Sequence, residues 1–180
     1  GLKPGDRGLL YAANSPNWVA SYMASTISGI CVVPIDPQTR ADEVWNLAAF
    51  TDAKALLTSR SSFATLSSEP SSATQLELLF DLDNYGEPFL APGSTSLFRS
   101  LSSECVLPQI VADMEASIIF TSGMAVEPRG VTLTHDNFIS DLLALAEVQR
   151  VDKGDQVLSL LPLHHGLEFT GSLLMSLLSG

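Results

Sequence analysis

The chain has 180 residues, the length of one ordinary domain or two small ones. Twenty Asp and Glu residues against nine Lys and Arg residues give a formal net charge of -11. This charge argues against a general binder of nucleic acids or anionic membranes, because phosphate groups are held by clustered cations. Hydrophobic residues make up 46% of the chain and charged residues 16%, so the composition is that of a folded domain and not of a disordered chain.

Cysteine usage and the start of the chain indicate the compartment. Cys31 and Cys105 form no CxxC pattern, which favours buried thiols over a disulfide. The three histidines lack metal-ligand spacing, so no metal site is predicted. No cationic segment precedes an apolar run at the start, and the uncharged stretch 8–35 contains too many Asn, Ser and Thr residues for a transmembrane span. We therefore expect a soluble, cytoplasmic protein.

Residues 1–58 alternate between strand and helix patterns. Apolar, β-branched runs predict strands at 8–13, 30–35 and 54–58. Apolar residues recur at helical spacing between these runs. Strands that alternate with helices of ordinary length imply parallel pairing with right-handed crossovers. The sequence thus predicts a βαβαβ unit in an α/β fold with a largely parallel sheet and covering helices.

The two helices of this unit have recognisable starts and stops. Ser15 offers an N-cap hydroxyl, and Pro16 suits the first helical position, where its missing N–H costs nothing. Gly29 is a typical C-terminal stop. Thr39 and Asp42 fit a capping box for the second helix. We also expect the two tryptophans to pack in the core and Asp36 to cap a turn.

The rest of the chain divides into a connection and a second βα unit. Residues 59–103 are rich in Ser, Pro and Gly and are interpreted as a variable connection, although 76–82 is strand-like. Residues 104–180 form the second unit. Its predicted elements are strands at 116–120, 131–134 and 156–161, a helix from Asn137 capped by Asp136, a turn at 152–155 and a helix at 168–178. Parallel pairing is also expected for the strand-loop-strand at 116–134. The chain stops within an apolar helical pattern, which predicts a truncation.

The segment 118–137 carries the most functional information. A strand leads into Thr121, Ser122 and Gly123, and the chain continues through Pro-Arg-Gly into a second strand and a capped helix. Hydroxyls and glycine N–H groups at the end of a strand can surround phosphate oxygens, and the guanidinium of Arg129 can neutralise them through bidentate donors. The segment is neither a Walker loop nor a GxGxxG fingerprint. A purely structural Gly/Pro loop, with Arg129 paired to Glu127, is the alternative reading.

The order of these residues resembles the phosphate-loop signature of the adenylate-forming (AMP-binding) superfamily, which reads Thr-Ser-Gly-Thr-Thr-Gly-x-Pro-Lys-Gly-Val and then Thr-His-x-Asn. The matching residues are Thr121, Ser122, Gly123, Pro128, Gly130, Val131, Thr134, His135 and Asn137. Arg129 stands in place of the signature lysine. The block 161–170 (Leu-Pro-Leu-His-His-Gly-Leu-Glu-Phe-Thr) and the blocks within 4–37 are also similar to this family. The sequence of residues 161–170 is most similar to that of long-chain fatty-acyl-CoA synthetases.

This resemblance implies a fold, an activity and a site. The chain would be a fragment, residues 1–180, of the large N-terminal domain, without the C-terminal domain or any catalytic residue. The activity would be that of an acid–thiol ligase, which converts a fatty acid and ATP with Mg²⁺ into an acyl-adenylate and passes the acyl group to coenzyme A. The implied phosphate-binding residues are Thr121, Ser122, Gly123, Arg129 and Gly130. His165 is the implied acyl-pocket residue.

One departure keeps an alternative open. Met124, Ala125 and Val126 stand where the family has Thr-Thr-Gly, so two hydroxyls that would face phosphate are missing. Hydrogen bonds to charged groups contribute roughly 1.5–3 kcal/mol each. The alternative is a non-catalytic AMP-binding-like module with a degenerate phosphate loop. The roles of His135 and His164 also stay open, between a site and ordinary structural packing.

Overall fold

A computed structural model describes residues 2–66, 75–84, 106–120 and 129–180 of the protein. The chain divides into two compact units, Gly1–Ile110 and Val111–Gly180. The predicted division into residues 1–58, 59–103 and 104–180 remains a prediction. None of the helices in the described ranges is long and apolar enough to cross a membrane.

The first unit is built on parallel strands, as the sequence predicted. The strands are β1 (Arg7–Tyr11), β2 (Cys31–Ile35), β3 (Ala53–Thr58) and β4 (Leu78–Asp81). They lie in the order β4-β3-β1-β2, and each described pair is parallel. β2 is buried along its whole length, which explains its run of apolar residues without polar alternation. β4 shows that part of the predicted connection belongs to this sheet.

Three helices follow the strands of the first unit: α1 (Pro16–Ile27), α2 (Ala41–Phe50) and α3 (Arg60–Thr65). α1 begins and ends as predicted. Oγ of Ser15 accepts a hydrogen bond from the Trp18 amide at 3.0 Å, Pro16 occupies the first turn, and Gly29 follows the helix with φ +76°. Both tryptophans are buried, Trp18 to 1% and Trp45 to 5% exposure.

The capping box predicted for α2 is wrong. The N-cap is Arg40, and its side chain makes no capping hydrogen bond. Thr39 instead lies in the preceding turn, where its amide donates to the carbonyl oxygen of Asp36 at 2.9 Å. Oδ1 of Asp36 accepts from the Gln38 amide at 2.8 Å, so the expected turn-capping role of Asp36 is confirmed. Asp42 lies in the first turn of α2, where its Oδ1 accepts a hydrogen bond from Nε of Arg40 at 3.2 Å.

The second unit contains a hairpin followed by helices. β5 (Glu115–Phe120) pairs with β6 (Gly130–Thr134) in antiparallel orientation, so the parallel pairing expected for this segment is wrong. The connection between the two strands is too short for a parallel crossover, which needs about a dozen residues or more. Three helical elements come next: α4 (His135–Val148), α5 (Gly166–Glu168) and α6 (Met175–Ser179), with a π-helical segment Phe169–Leu174 joining the last two.

Two further expectations for this unit are wrong. The cap of α4 is Thr134 and not Asp136. The segment 156–161 forms no strand, although the turn before it is present, with the Asp155 amide donating to the Asp152 carbonyl oxygen at 3.0 Å. A strand needs a partner for its backbone groups. No described strand forms a ladder with this segment, and Leu158 and Leu160 are 75% and 78% exposed.

Candidate functional site

The two ends of the predicted phosphate loop are held together by the hairpin. Phe120, the last residue of β5, lies directly opposite Gly130, the first residue of β6. Residues 121–128 lie outside the described residues, and with them the predicted phosphate ligands Thr121, Ser122 and Gly123. The described part of the site is therefore its entry from β5 and its exit through Arg129 and Gly130.

The absence of a side chain at Gly130 allows β5 and β6 to pack closely at this end of the hairpin. An ideal Cβ placed on Gly130 would lie 2.7 Å from Cγ2 of Ile118 and 3.2 Å from ring atoms of Phe120. Such distances are below normal van der Waals contact, so a larger residue would force the two strands apart. The structure thus gives Gly130 a packing role, and its role as a phosphate ligand remains a prediction.

Arg129 immediately precedes β6 and is exposed. Within the described ranges it forms no ion pair. Glu127, the partner considered from the sequence, lies outside those ranges. A guanidinium presents five N–H donors in a planar fork that matches phosphate oxygens. Its position at the exit of the loop makes Arg129 the best described candidate for an anion ligand.

The second part of the signature lies at the opposite end of β6. The Asn137 amide donates to Oγ1 of Thr134 at 3.2 Å, and the Thr134 amide donates to Oδ1 of Asn137 at 2.9 Å. These reciprocal bonds form a capping box at the start of α4. β6 runs from Gly130 to Thr134, which places the box about 14 Å from the exit of the loop at the usual rise per strand residue. Thr134 and Asn137 therefore act on the helix end.

His135 lies beside this capping box. Its amide donates to the Met114 carbonyl oxygen at 3.1 Å. Nε2 of its ring is buried and has no hydrogen-bond partner among the described residues. Desolvation by burial lowers the pKa of His135 below its ordinary value of 6.5. The structure does not bring this ring together with Arg129, because the two residues flank opposite ends of β6.

The two adjacent histidines precede α5. The His164 and His165 rings lie 4.4 Å apart between centroids at a tilt of 42°. His165 is exposed and is the N-cap residue of α5, without a side-chain capping bond. Its amide donates to the Pro162 carbonyl oxygen at 3.0 Å. The acyl-pocket role of His165 remains a prediction.

Sequence reasoning did not single out Glu168, the last residue of α5. Glu168 is only 6% exposed, and Oε1 has no hydrogen-bond partner among the described residues. Its neighbour Phe169 packs edge-on against Phe138 of α4, with ring centroids 5.5 Å apart. The sequence signal that could have identified Glu168 is its carboxyl group between the apolar residues Leu167 and Phe169. Elsewhere in the described ranges, no group of three or more His, Cys, Asp or Glu residues is placed to hold a metal ion.

Solved structures share this fold. The N-terminal domain of FACL13 from Mycobacterium tuberculosis aligns with a TM-score of 0.80 at 22% identity, covering 100% of this chain and 43% of that one. ATP-bound MatB from Rhodopseudomonas palustris aligns with a TM-score of 0.76 at 21% identity, covering 99% of this chain and 34% of that one. The fold is thus the α/β fold found in the N-terminal domain of acyl-CoA synthetase-like proteins.

The sequence profile described as AMP-binding enzyme matches residues 1–180, and the chain belongs to this family. A curated relative, oxalate–CoA ligase of Arabidopsis thaliana, is 26% identical over 185 aligned residues, which cover 100% of this chain and 35% of that protein. The chain therefore spans about a third of the length of this relative. The predicted superfamily and fold class are confirmed.

Proposed function

We propose that the chain is the N-terminal part of an ATP-dependent acyl-CoA synthetase that activates a long-chain fatty acid. Membership of the AMP-binding family supports the adenylate-forming chemistry. The block 161–170, with its Leu-Pro-Leu-His-His opening, supports the long-chain substrate by its resemblance to fatty-acyl synthetases. The substrates are then a fatty acid, ATP with its bound Mg²⁺, and coenzyme A.

The reaction has two steps. A carboxylate oxygen of the fatty acid attacks the α-phosphorus of ATP, the bond to the β-phosphate oxygen breaks, and pyrophosphate leaves from the acyl-adenylate. The coenzyme A thiolate then attacks the acyl carbon, and AMP leaves with the oxygen that joined it to the acyl group. Negative charge grows on the departing phosphates during the first step, and a cation fixed near them stabilises the transition state.

The single observation that carries this proposal is the pairing of Phe120 with Gly130. It holds both ends of the Thr-Ser-Gly to Pro-Arg-Gly segment at one end of the hairpin and leaves Arg129 exposed there. Arg129 would bind the departing pyrophosphate through its guanidinium, and Thr121, Ser122, Gly123 and Gly130 are the other proposed phosphate ligands. The described residues supply no metal-ligand cluster, so we assign them no metal-dependent step.

The isolated 180-residue chain should not complete this reaction. It spans about a third of the aligned oxalate–CoA ligase. The family resemblance places the adenine-binding segments and the catalytic lysine in the remaining part. We therefore expect no carboxylate-dependent exchange of pyrophosphate into ATP by the isolated chain, while the full-length protein catalyses it.

The test is this exchange assay on the full-length protein with fatty acids of increasing length, and with oxalate as the substrate of the aligned plant enzyme. Arg129→Ala should raise the KM for ATP at least tenfold, because a charge-assisted hydrogen bond contributes roughly 1.5–3 kcal/mol. Arg129→Lys should keep most of the affinity. Arg150→Ala, an exposed arginine of the same unit, is the matched control. Equal ATP parameters for the wild type and Arg129→Ala would contradict the assignment.

A second candidate function is a non-catalytic AMP-binding-like module. Met124, Ala125 and Val126 favour it, because they replace the two hydroxyls and the glycine of the signature. Absence of exchange with every acid, in a full-length protein that still binds AMP by calorimetry, would support this second function.

A further inference from the structure

A cavity of about 520 Å³, open to solvent at Ala20 and Ala24, lies in the first unit. Its volume is in the range of small-molecule pockets, roughly 300–1,000 Å³. Residues of α1, β3 and β4 line it together with three residues outside these elements. The lining residues are Leu2, Ala20, Ser21, Ala24, Ser25, Ser28, Ile30, Leu57, Leu78 and Phe80.

The space results from the choice of residues on α1. The helix presents only alanine and serine to the cavity from Ala20 onwards, whereas β3 and β4 present Leu57, Leu78 and Phe80. Small side chains at positions one turn apart lie on the same helix face. Leucines at these positions would fill the gap, so the cavity follows directly from the sequence of α1.

Ser21 distinguishes this cavity from a packing defect. It is 4% exposed, and its Oγ has no hydrogen-bond partner among the residues that the structure describes. Thr26 on the same helix shows the usual solution, since its hydroxyl donates to the carbonyl oxygens of Tyr22 and Met23 at 3.2 and 3.0 Å. A buried hydroxyl without a partner costs free energy. Ser21 therefore lines the cavity with an unused donor and acceptor.

We propose that this cavity binds a neutral aliphatic molecule with one oxygen-containing group, of the class of fatty alcohols and esters. The hydrocarbon chain of the ligand contacts Leu57, Leu78 and Ile30, and the ligand oxygen accepts a hydrogen bond from the hydroxyl of Ser21. None of the lining residues that the structure describes is charged. A carboxylate placed beside the buried Ser21 would lose its hydration without a counter-charge, and a pure hydrocarbon would leave Ser21 unpaired. The site is therefore suited to a ligand different from the fatty-acid anion of the proposed reaction.

The test uses octan-1-ol, titrated into the full-length protein and followed by calorimetry and by methyl NMR shifts of the lining leucines. Ala24→Leu places a larger side chain in the cavity and should weaken binding at least tenfold. Asn46→Leu adds the same side chain at an exposed position of α2 and should leave binding unchanged. At the methyl signals of the lining leucines, octanoate should bind at least tenfold more weakly than octan-1-ol, independently of any binding of octanoate as the substrate of the proposed reaction.

Ser21→Ala separates a ligand contact from a structural role. It should weaken octan-1-ol binding about fivefold, the factor expected from one neutral hydrogen bond. Its melting temperature should stay equal or rise, because the unpartnered hydroxyl is removed. Absence of an octan-1-ol effect on the lining leucines of the wild type, an equal effect in Ala24→Leu, or tighter binding of octanoate at these leucines would overturn the proposal. Concentration-dependent dimerisation that only Ala24→Leu abolishes would assign the cavity to a second copy of the chain and also overturn it.

Discussion

The side chain of Ile118 occupies the space beside Gly130, where an ideal Cβ would lie 2.7 Å from its Cγ2 atom. This contact joins the middle of β5 to the first residue of β6. It explains why the exit of the predicted phosphate loop needs a glycine, independently of any contact with phosphate. Because Arg129 directly precedes Gly130, the packing of Gly130 against Ile118 also determines where the backbone of Arg129 enters β6.

Gly130→Ala should destabilise the protein by about 1–3 kcal/mol, because the added methyl group overpacks the contact with Ile118 and Phe120. Urea unfolding of wild type and variant measures the change. Gly171→Ala is the matched control, since a Cβ at Gly171 meets no atom within 4 Å. It lies in the π-helical segment and should stabilise the protein by about 0.5–1 kcal/mol. Equal effects of the two substitutions would contradict the packing role of Gly130.

The capping box gives a prediction for the second half of the signature. Thr134→Ala should lower the free energy of unfolding by about 1 kcal/mol, whereas Thr134→Ser should keep most of it, because serine also accepts the Asn137 amide. Asn137→Ala should cost a similar amount. The double variant should lose less than the sum, since the two bonds act as one motif.

The same variants test the distance between the box and the loop. Since Thr134 lies about 14 Å along β6 from Gly130, the affinity of the full-length protein for ATP should be unchanged in Thr134→Ala and in Asn137→Ala. Calorimetric titration of ATP provides the measurement. A tenfold weaker affinity without loss of stability would show that these side chains contact the nucleotide.

The sequence predicted the parts of the fold that local chemistry decides. Ser15, Pro16 and Gly29 determine the bounds of α1 through a hydroxyl acceptor, a fixed φ and a left-handed conformation. These devices act within one turn of the chain. The parallel pairing of the first unit followed because its strands are separated by helices.

The errors arose where a choice depends on distant neighbours. Thr39 and Asp42 have the spacing of a capping box. In the structure, however, the Thr39 amide donates to the carbonyl oxygen of Asp36 in the turn after β2, and the carboxylate of Asp42 pairs with Arg40. The apolar residues of 156–161 suit a strand, but no described strand pairs with them. The sequence leaves the role of His135 open, and the structure places this residue at the opposite end of β6 from Arg129. The burial of Glu168 also depends on packing that the sequence pattern does not show.

The half-buried His135, with its buried Nε2 atom, predicts a pH dependence of stability. Its folded-state pKa is lowered by desolvation, so below about pH 6.5 the unfolded chain binds more protons than the folded chain. Stability should therefore fall as the pH decreases through about 6.5, the ordinary pKa of the unfolded histidine. His135→Gln, which does not titrate, should show a shallower fall, measured by urea unfolding at several pH values. Because His164 and His165 are present in both proteins, parallel curves would contradict the assignment to His135.

The last prediction concerns Met124, Ala125 and Val126 in the full-length protein. Replacing them with Thr, Thr and Gly restores the family signature. If the loop binds phosphate, the two new hydroxyls add charge-assisted hydrogen bonds, and glycine allows a backbone conformation that valine resists. We expect ATP affinity to rise at least tenfold, which corresponds to about 1.4 kcal/mol, partly offset by the greater flexibility of the free loop.

Calorimetric titration with ATP and Mg²⁺ measures this gain, and the three single variants show whether it is shared. Because the positions belong to one loop, their separate effects should not add up to the combined one. Adding Arg129→Ala to the triple variant is the control, since it should remove most of the gain if the guanidinium and the hydroxyls hold the same phosphates. An unchanged or weaker affinity in the triple variant would show that the phosphates are not bound by this loop. It would favour the non-catalytic module over the synthetase.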